Sequence, residues 1–189
     1  MHLDGKTVAF LATDGVERVE LTEPWSAVTD HGARPVLLSL TPGTIRCVDG
    51  MDPAGTHQVD QLVGDADPAA FDALVLPGGV ANPDKLRVDP AAVAFVRSFV
   101  ESGRPIGVIC HGPWTLVEAD VLHGRTLTSW PSLRTDILNA GGMWVDEEVH
   151  VEQGIVSSRN PGDLPAFCAK LVEEIAEGRH ERSVMTASA

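Results

Sequence analysis

The chain has 189 residues with 27 acidic against 14 basic side chains, a formal charge of −13, and 43% hydrophobic content. That length suits one α/β domain, expected to occupy 1–189 with its core over about 6–177 and a frayed tail over 178–189. The charge excludes non-specific attraction to phosphate backbones, so no nucleic acid partner is expected, and no apolar run approaches the ~20 residues that a bilayer span requires.

Three cysteines, Cys47, Cys110 and Cys168, lack C-x-x-C spacing and cannot all pair, so neither a disulfide framework nor a structural zinc site is expected. The histidines outside the Cys110 segment show no metal-ligand spacing, and neither a metal nor a cofactor is expected. The start of the chain carries no basic stretch leading into a secretory apolar region; the expected location is cytoplasmic.

In chain order, Thr7 to Ala12 is an almost continuous apolar run, as in a parallel strand buried on both faces. Asp14-Gly15 is a turn signal, and a helical stretch follows to His31-Gly32, with Pro24 placed near the start of a helical piece because proline breaks a helix interior. Pro35 to Leu40 is a second strand, and the polar segment from Thr41 to His57 has room for a short hairpin. Ala73 to Leu76 is a third strand, stopped by Pro77-Gly78-Gly79. An amphipathic helix over about Pro90 to Ser102 ends at Gly103. After the strand Ile106 to Ile109 come a helix to about Ala119 and another around Ser132 to Ala140. Val149 to Val151 and Ile155 to Ser157 read as a hairpin near a sheet edge, and Asp163 is placed as the cap of a last helix, Leu164 to about Glu177. Alternating strands and helices predict an α/β fold, a three-layer sandwich around a mainly parallel sheet.

Cys110 ends one of these strands and is followed at once by His111-Gly112-Pro113, the setting of a nucleophile elbow. There the amides at a helix start are expected to stabilise its thiolate. His111 is a candidate general base or a group bonded to a surface partner. Gly78 and Gly79 allow backbone N–H groups to approach a reacting carbonyl and form an oxyanion hole with an amide near His111, or else make a tight turn. Glu17 is either a solvated carboxylate at a helix start or, if it faces Cys110, a protonated hydrogen-bond donor.

Asp14-Gly15-Val16-Glu17 with Val19-Glu20-Leu21, Pro77-Gly78-Gly79, Ile109 to Pro113, and Ser157 to Pro161 with Asp163-Leu164 together resemble the PfpI (intracellular protease I) family of the ThiJ/PfpI superfamily. The similarity runs from about Lys6 to Glu177. It implies a glutamine-amidotransferase-like, flavodoxin-like sandwich with Cys110 as nucleophile, Glu17 as its protonated partner and His111 as base. It also implies a homodimer or higher homo-oligomer in which a third acid arrives from a neighbouring subunit. The matching position here is Asp84, where the best-known member has glutamate. The function implied is a stress-response cysteine hydrolase of deglycase or glyoxalase type, acting on a reactive aldehyde or on modified protein or peptide. The alternatives are an intracellular peptidase and a non-enzymatic redox sensor or chaperone built on an oxidisable Cys110.

Overall fold

The computed structural model describes residues 1–179, so the expected frayed tail from 180 onward lies outside the described residues. The chain runs β1 (Thr7–Leu11), β2 (Val16–Glu17), α1 (Arg18–Asp30), β3 (Arg34–Ser39), β4 (Thr44–Asp49), β5 (Asp52–Gln58), β6 (Gln61–Leu62) and β7 (Ala73–Leu76). It continues through α2 (Ala81–Leu86), α3 (Pro90–Glu101), β8 (Ile106–Ile109), α4 (Pro113–Glu118), β9 (Thr126–Leu127), α5 (Arg134–Asn139), β10 (Met143–Trp144), β11 (Val149–Glu152), β12 (Ile155–Ser158) and α6 (Leu164–Glu177).

Seven strands form the main sheet in the order β6-β3-β1-β7-β8-β12-β11, all parallel except the edge pair β11–β12. Side chains alternate across it: Val8, Phe10, Val75 and Ile109 face a layer with Phe167 and Leu171 of α6 and Leu21 of α1. Ala9, Leu11, Leu74, Leu76 and Val108 face Phe95 and Phe99 of α3 and Leu116 of α4. The expected three-layer α/β sandwich is therefore present, and its central five strands follow the flavodoxin-like order. In such a sheet the crevice lies at the carboxyl ends of the strands where the order reverses, here beside β1 and β7. β4 and β5 form the expected hairpin, which joins β2 in a separate three-stranded sheet. Among the described residues no helix is long and apolar enough to cross a membrane.

Two local expectations are corrected. Pro24 lies inside α1, not at the start of a helical piece. Its missing N–H withdraws the helical donor of the Glu20 carbonyl, and the helix persists because Leu21, Pro24 and Val28 are buried along one face. Asp163 precedes α6 without capping it through its side chain. Its carboxylate is spent on Arg159, accepting from the backbone N–H at 3.0 Å and from Nε at 2.9 Å and Nη2 at 3.0 Å.

Candidate active site

Three loops meet at the carboxyl end of the sheet. The loop after β1 is held to the loop after β7 by Asn82, which is fully buried. Its side-chain oxygen accepts from Thr13 N–H at 2.8 Å, while its NH2 donates to the Pro77 and Gly78 carbonyls at 2.9 and 3.0 Å. The third loop is the elbow after β8. Cys110 adopts φ 60°, a left-handed conformation that costs a residue with a side chain on the order of 1–3 kcal/mol. It is fixed there by its own N–H donating to the Ser158 carbonyl at 3.1 Å and by its carbonyl accepting from Trp130 N–H at 2.9 Å.

Cys110 is buried, with 7% exposure, and its Sγ lies 3.1 Å from Nδ1 of His111. The adjacent side chains therefore converge at this elbow. His111 packs between two indoles, edge-on to Trp114 at 5.1 Å and nearly parallel to Trp130 at 5.8 Å, and its Nε2 has a long contact of 3.5 Å with Ser132 Oγ. Burial lowers the His111 pKa, which keeps the imidazole neutral near pH 7 and able to accept a proton.

The acid at Cys110 is Glu20, and this corrects the assignment of Glu17. The Glu17 carboxylate is only partly buried and turns toward the β4–β5 hairpin, accepting from Gly50 N–H at 2.9 Å. Glu20, one helical turn further on, is fully buried. Its Oε2 accepts from Gly78 N–H at 2.8 Å, Oε1 has no conventional hydrogen-bond partner among the described residues, and the carboxyl interacts with the Cys110 side chain. Desolvation pushes the Glu20 pKa up to about 8, so Glu20 is protonated at neutral pH. One carboxyl oxygen faces a donor, and the protonated one is free to donate to sulfur.

The helix-start amides alone do not settle the state of Cys110. Burial and then the Glu20 carboxylate push the thiol up, opposite to the sequence expectation, while the amides of Gly79 and His111 pull it down. Two anions in this desolvated space are mutually excluded, so Glu20 and Cys110 titrate as a pair.

The glycines act through space as well as flexibility. A Cβ on Gly78 would sit 2.5 Å from Glu20 Oε2, 2.6 Å from Cys110 Cβ and 3.0 Å from His111 N, so Gly78 fills the gap between acid and nucleophile. Gly79 has φ 78°, and a Cβ there would meet the Gly15 carbonyl at 2.4 Å. The Gly78 amide is already engaged by Glu20, the Gly79 amide is shared between the Glu20 carboxyl and the sulfur, and the His111 amide is directed at the sulfur. Asp84 is exposed on α2, and among the described residues no side-chain hydrogen bond or ion pair reaches its carboxylate; within one chain it is not brought to His111.

Glu20, Asn82 and Trp130 were assigned no role from sequence. Glu20 had a readable signal, since it falls on the same α1 face as Leu21, Pro24 and Val28, where a carboxylate is out of place. Cys47 is buried and Cys168 half-buried, and burial pushes both thiols up. A cavity of about 620 Å³ between α1 and α6 touches Cys168 and none of the Cys110 site.

Residues 6–174 match the model of the DJ-1/PfpI family. A deglycase of Thermococcus kodakarensis is 42% identical over 166 residues, covering 88% of this chain and 97% of that protein. General stress protein 18 of Bacillus subtilis is 39% identical over 164 residues, covering 86% and 94%. Among solved structures, a two-domain protein of Anabaena variabilis with DJ-1/ThiJ/PfpI-like and ferritin-like domains is similar with a TM-score of 0.85 and 32% identity. That match covers 90% of this chain and 48% of the larger one.

Proposed function

The chain belongs to the DJ-1/PfpI family, and from that premise we propose that it is a stress-response, cysteine-dependent hydrolase of the deglycase type that removes reactive dicarbonyls or their adducts. The observation that carries this reading is the Cys110 elbow itself. A strained nucleophile sits 3.1 Å from a neutral imidazole and against a buried carboxyl that holds its proton.

His111 takes the thiol proton and Glu20 donates its own hydrogen bond to the resulting sulfur anion, so the pair carries a single negative charge. The sulfur adds to the aldehyde carbon of a 2-oxoaldehyde. The S–C bond forms as the carbonyl electron pair moves to oxygen, which is held by the Gly79 and His111 amides and then protonated. In an amine adduct the sulfur replaces nitrogen at the same carbon and the amine leaves with a proton, so both substrates reach one hemithioacetal. His111 then moves the proton on that carbon to the neighbouring carbonyl carbon, and the proton of the hemithioacetal hydroxyl passes to the neighbouring carbonyl oxygen, an isomerisation that yields a thioester of a 2-hydroxy acid. Water cleaves the S–C bond and restores the thiol. The net change is one water added per dicarbonyl. Asp84, reaching His111 from a neighbouring subunit of a homo-oligomer, belongs to the same proposal as an aid to orienting the ring.

The test is turnover of methylglyoxal, a methylglyoxal-modified peptide and casein by the purified protein beside Cys110→Ser. Release of the 2-hydroxy acid from the first two, abolished in the variant, is the expected result. Casein cleavage without hydroxy acid would overturn it in favour of a peptidase.

A further inference from the structure

Trp130 is a large apolar residue left 41% exposed, and it is held firmly. Its backbone N–H donates to the Cys110 carbonyl at 2.9 Å, and its backbone carbonyl accepts from Ser129 Oγ at 2.9 Å. Ser129 Oγ in turn accepts from Trp144 Nε1 at 2.9 Å, and Pro131 fixes the chain immediately after. The indole lies nearly parallel to His111, with 24° between the planes and 5.8 Å between centroids. The same His111 touches the Cys110 sulfur at 3.1 Å, so the indole is one ring away from the reacting atom. With its backbone fixed and one ring already stacked against His111, the indole has less conformational freedom to lose on binding than a free side chain.

We propose that Trp130 is a specificity-determining residue whose exposed indole face stacks on the planar guanidinium of an arginine-borne carbonyl adduct and favours it over the same adduct on lysine. The proposal rests on the deglycase reading and names its preferred substrate class. An adduct on a guanidinium nitrogen keeps a flat, delocalised cation directly bonded to the carbon that the sulfur attacks, whereas on lysine that carbon is bonded to a tetrahedral nitrogen. Indole is the strongest aromatic partner for a cation, and guanidinium is more weakly hydrated than ammonium and stacks on a ring face. Until it takes the thiol proton, the neutral His111 sets no positive charge behind the indole, so a cation can dock before the chemistry begins, and the chain's charge of −13 draws cations toward it.

The experiment compares kcat/KM for two peptides identical except for a methylglyoxal-modified arginine or lysine. Because Trp130 also packs on His111, the readout is the ratio between the two substrates, which cancels a general loss of chemistry. Wild type is expected to prefer the arginine adduct, with Trp130→Leu lowering the ratio about fivefold or more and Trp130→Phe lowering it less. An unchanged ratio in folded Trp130→Leu would overturn the proposal. Absence of turnover for both peptides in wild type would instead refute the deglycase reading. Binding is therefore also measured, in Cys110→Ser, by NMR titration of the Trp130 indole N–H with Nα-acetylarginine amide and Nα-acetyllysine amide. A shift with the guanidinium ligand and a smaller one with the ammonium ligand supports the stacking role whatever the turnover, and equal shifts overturn it.

Discussion

Glu17 and Glu20 stand one helical turn apart at the start of α1 and occupy opposite environments. Glu17 shares its carboxylate between solvent and the Gly50 N–H of an outlying hairpin, whereas Glu20 is sealed beneath the loops of Gly78 and Cys110, with no cation beside it among the described residues. The first position tolerates a charge and the second resists one. Proximity in sequence thus says little about protonation, because the cost of ionisation is set by what each side chain packs against.

The largest break in this contrast is expected in catalysis. Glu20→Asp withdraws the carboxyl from sulfur and should lower kcat/KM by about 10² or more. Glu20→Gln keeps an oxygen for the Gly78 N–H and an NH2 donor for the sulfur, so its loss should be nearer tenfold. Rates of thiol alkylation against pH check the assignment, since both variants should move the Cys110 profile. If Glu20→Asp left rate and profile unchanged, Glu20 would not be coupled to the sulfur.

Gly78→Ala comes next, because the added methyl would lie 2.5–2.6 Å from the Glu20 carboxyl and the Cys110 Cβ. Overpacking of this kind typically costs about 1–3 kcal/mol, and here it would also part acid from nucleophile. A melting temperature lowered by several degrees, together with a loss of activity larger than that of Glu20→Gln, is the expected result. Wild-type values for both would mean the glycine is only a turn.

A third effect follows from the sign of the Glu20 shift. Its folded pKa lies above the ordinary carboxyl value of 4.5, so its stabilising contribution is complete below about pH 4.5 and is lost as pH rises through about 8. The loss should be roughly 3 kcal/mol by pH 7, seen most cleanly in Cys110→Ser, where sulfur cannot share the proton. Denaturant unfolding at pH 5 and pH 8 should therefore show a wider gap for Cys110→Ser than for Cys110→Ser with Glu20→Gln. Equal gaps would place an ionised carboxylate at this position in the folded state.

The fold was largely legible because apolar runs such as Ala73 to Leu76 and Ile106 to Ile109 have no other economical reading than buried parallel strands. Cys110, His111 and Gly78 were legible for a related reason, since strand ends in such a sheet converge. The choice between Glu17 and Glu20 depends on where α1 begins: Glu17 still belongs to β2 and turns to the hairpin, whereas Glu20 shares the buried face of Leu21, Pro24 and Val28, a helical spacing that becomes decisive only once the helix start is placed. Pro24 misled in the same place: its local preference is real, but the buried face it shares with Leu21 and Val28 outweighs it. Trp130 lies twenty residues beyond the elbow and reaches His111 only through the tertiary fold.

The smallest expected effect sharpens the contrast from the Glu17 side. Glu17→Gln keeps an acceptor for the Gly50 N–H and removes a charge near the start of α1, where a carboxylate is worth about 0.3–1 kcal/mol. Activity should stay within about threefold of wild type, far from the loss at Glu20→Asp. The informative quantity is the proton on Glu20. The Glu17 charge is one of the causes that raise the Glu20 pKa, behind desolvation, so its removal should move the Glu20 titration toward lower pH. In the Cys110→Ser background the pH at which stability begins to fall depends on the unfolded state and should not move, whereas the pH at which the fall levels off should shift downward by a fraction of a unit. Unfolding free energies measured at half-unit steps from pH 4 to pH 9 resolve the two ends of that window. An upward shift would mean that Glu17 acts on Glu20 through the hairpin contact and not through its charge.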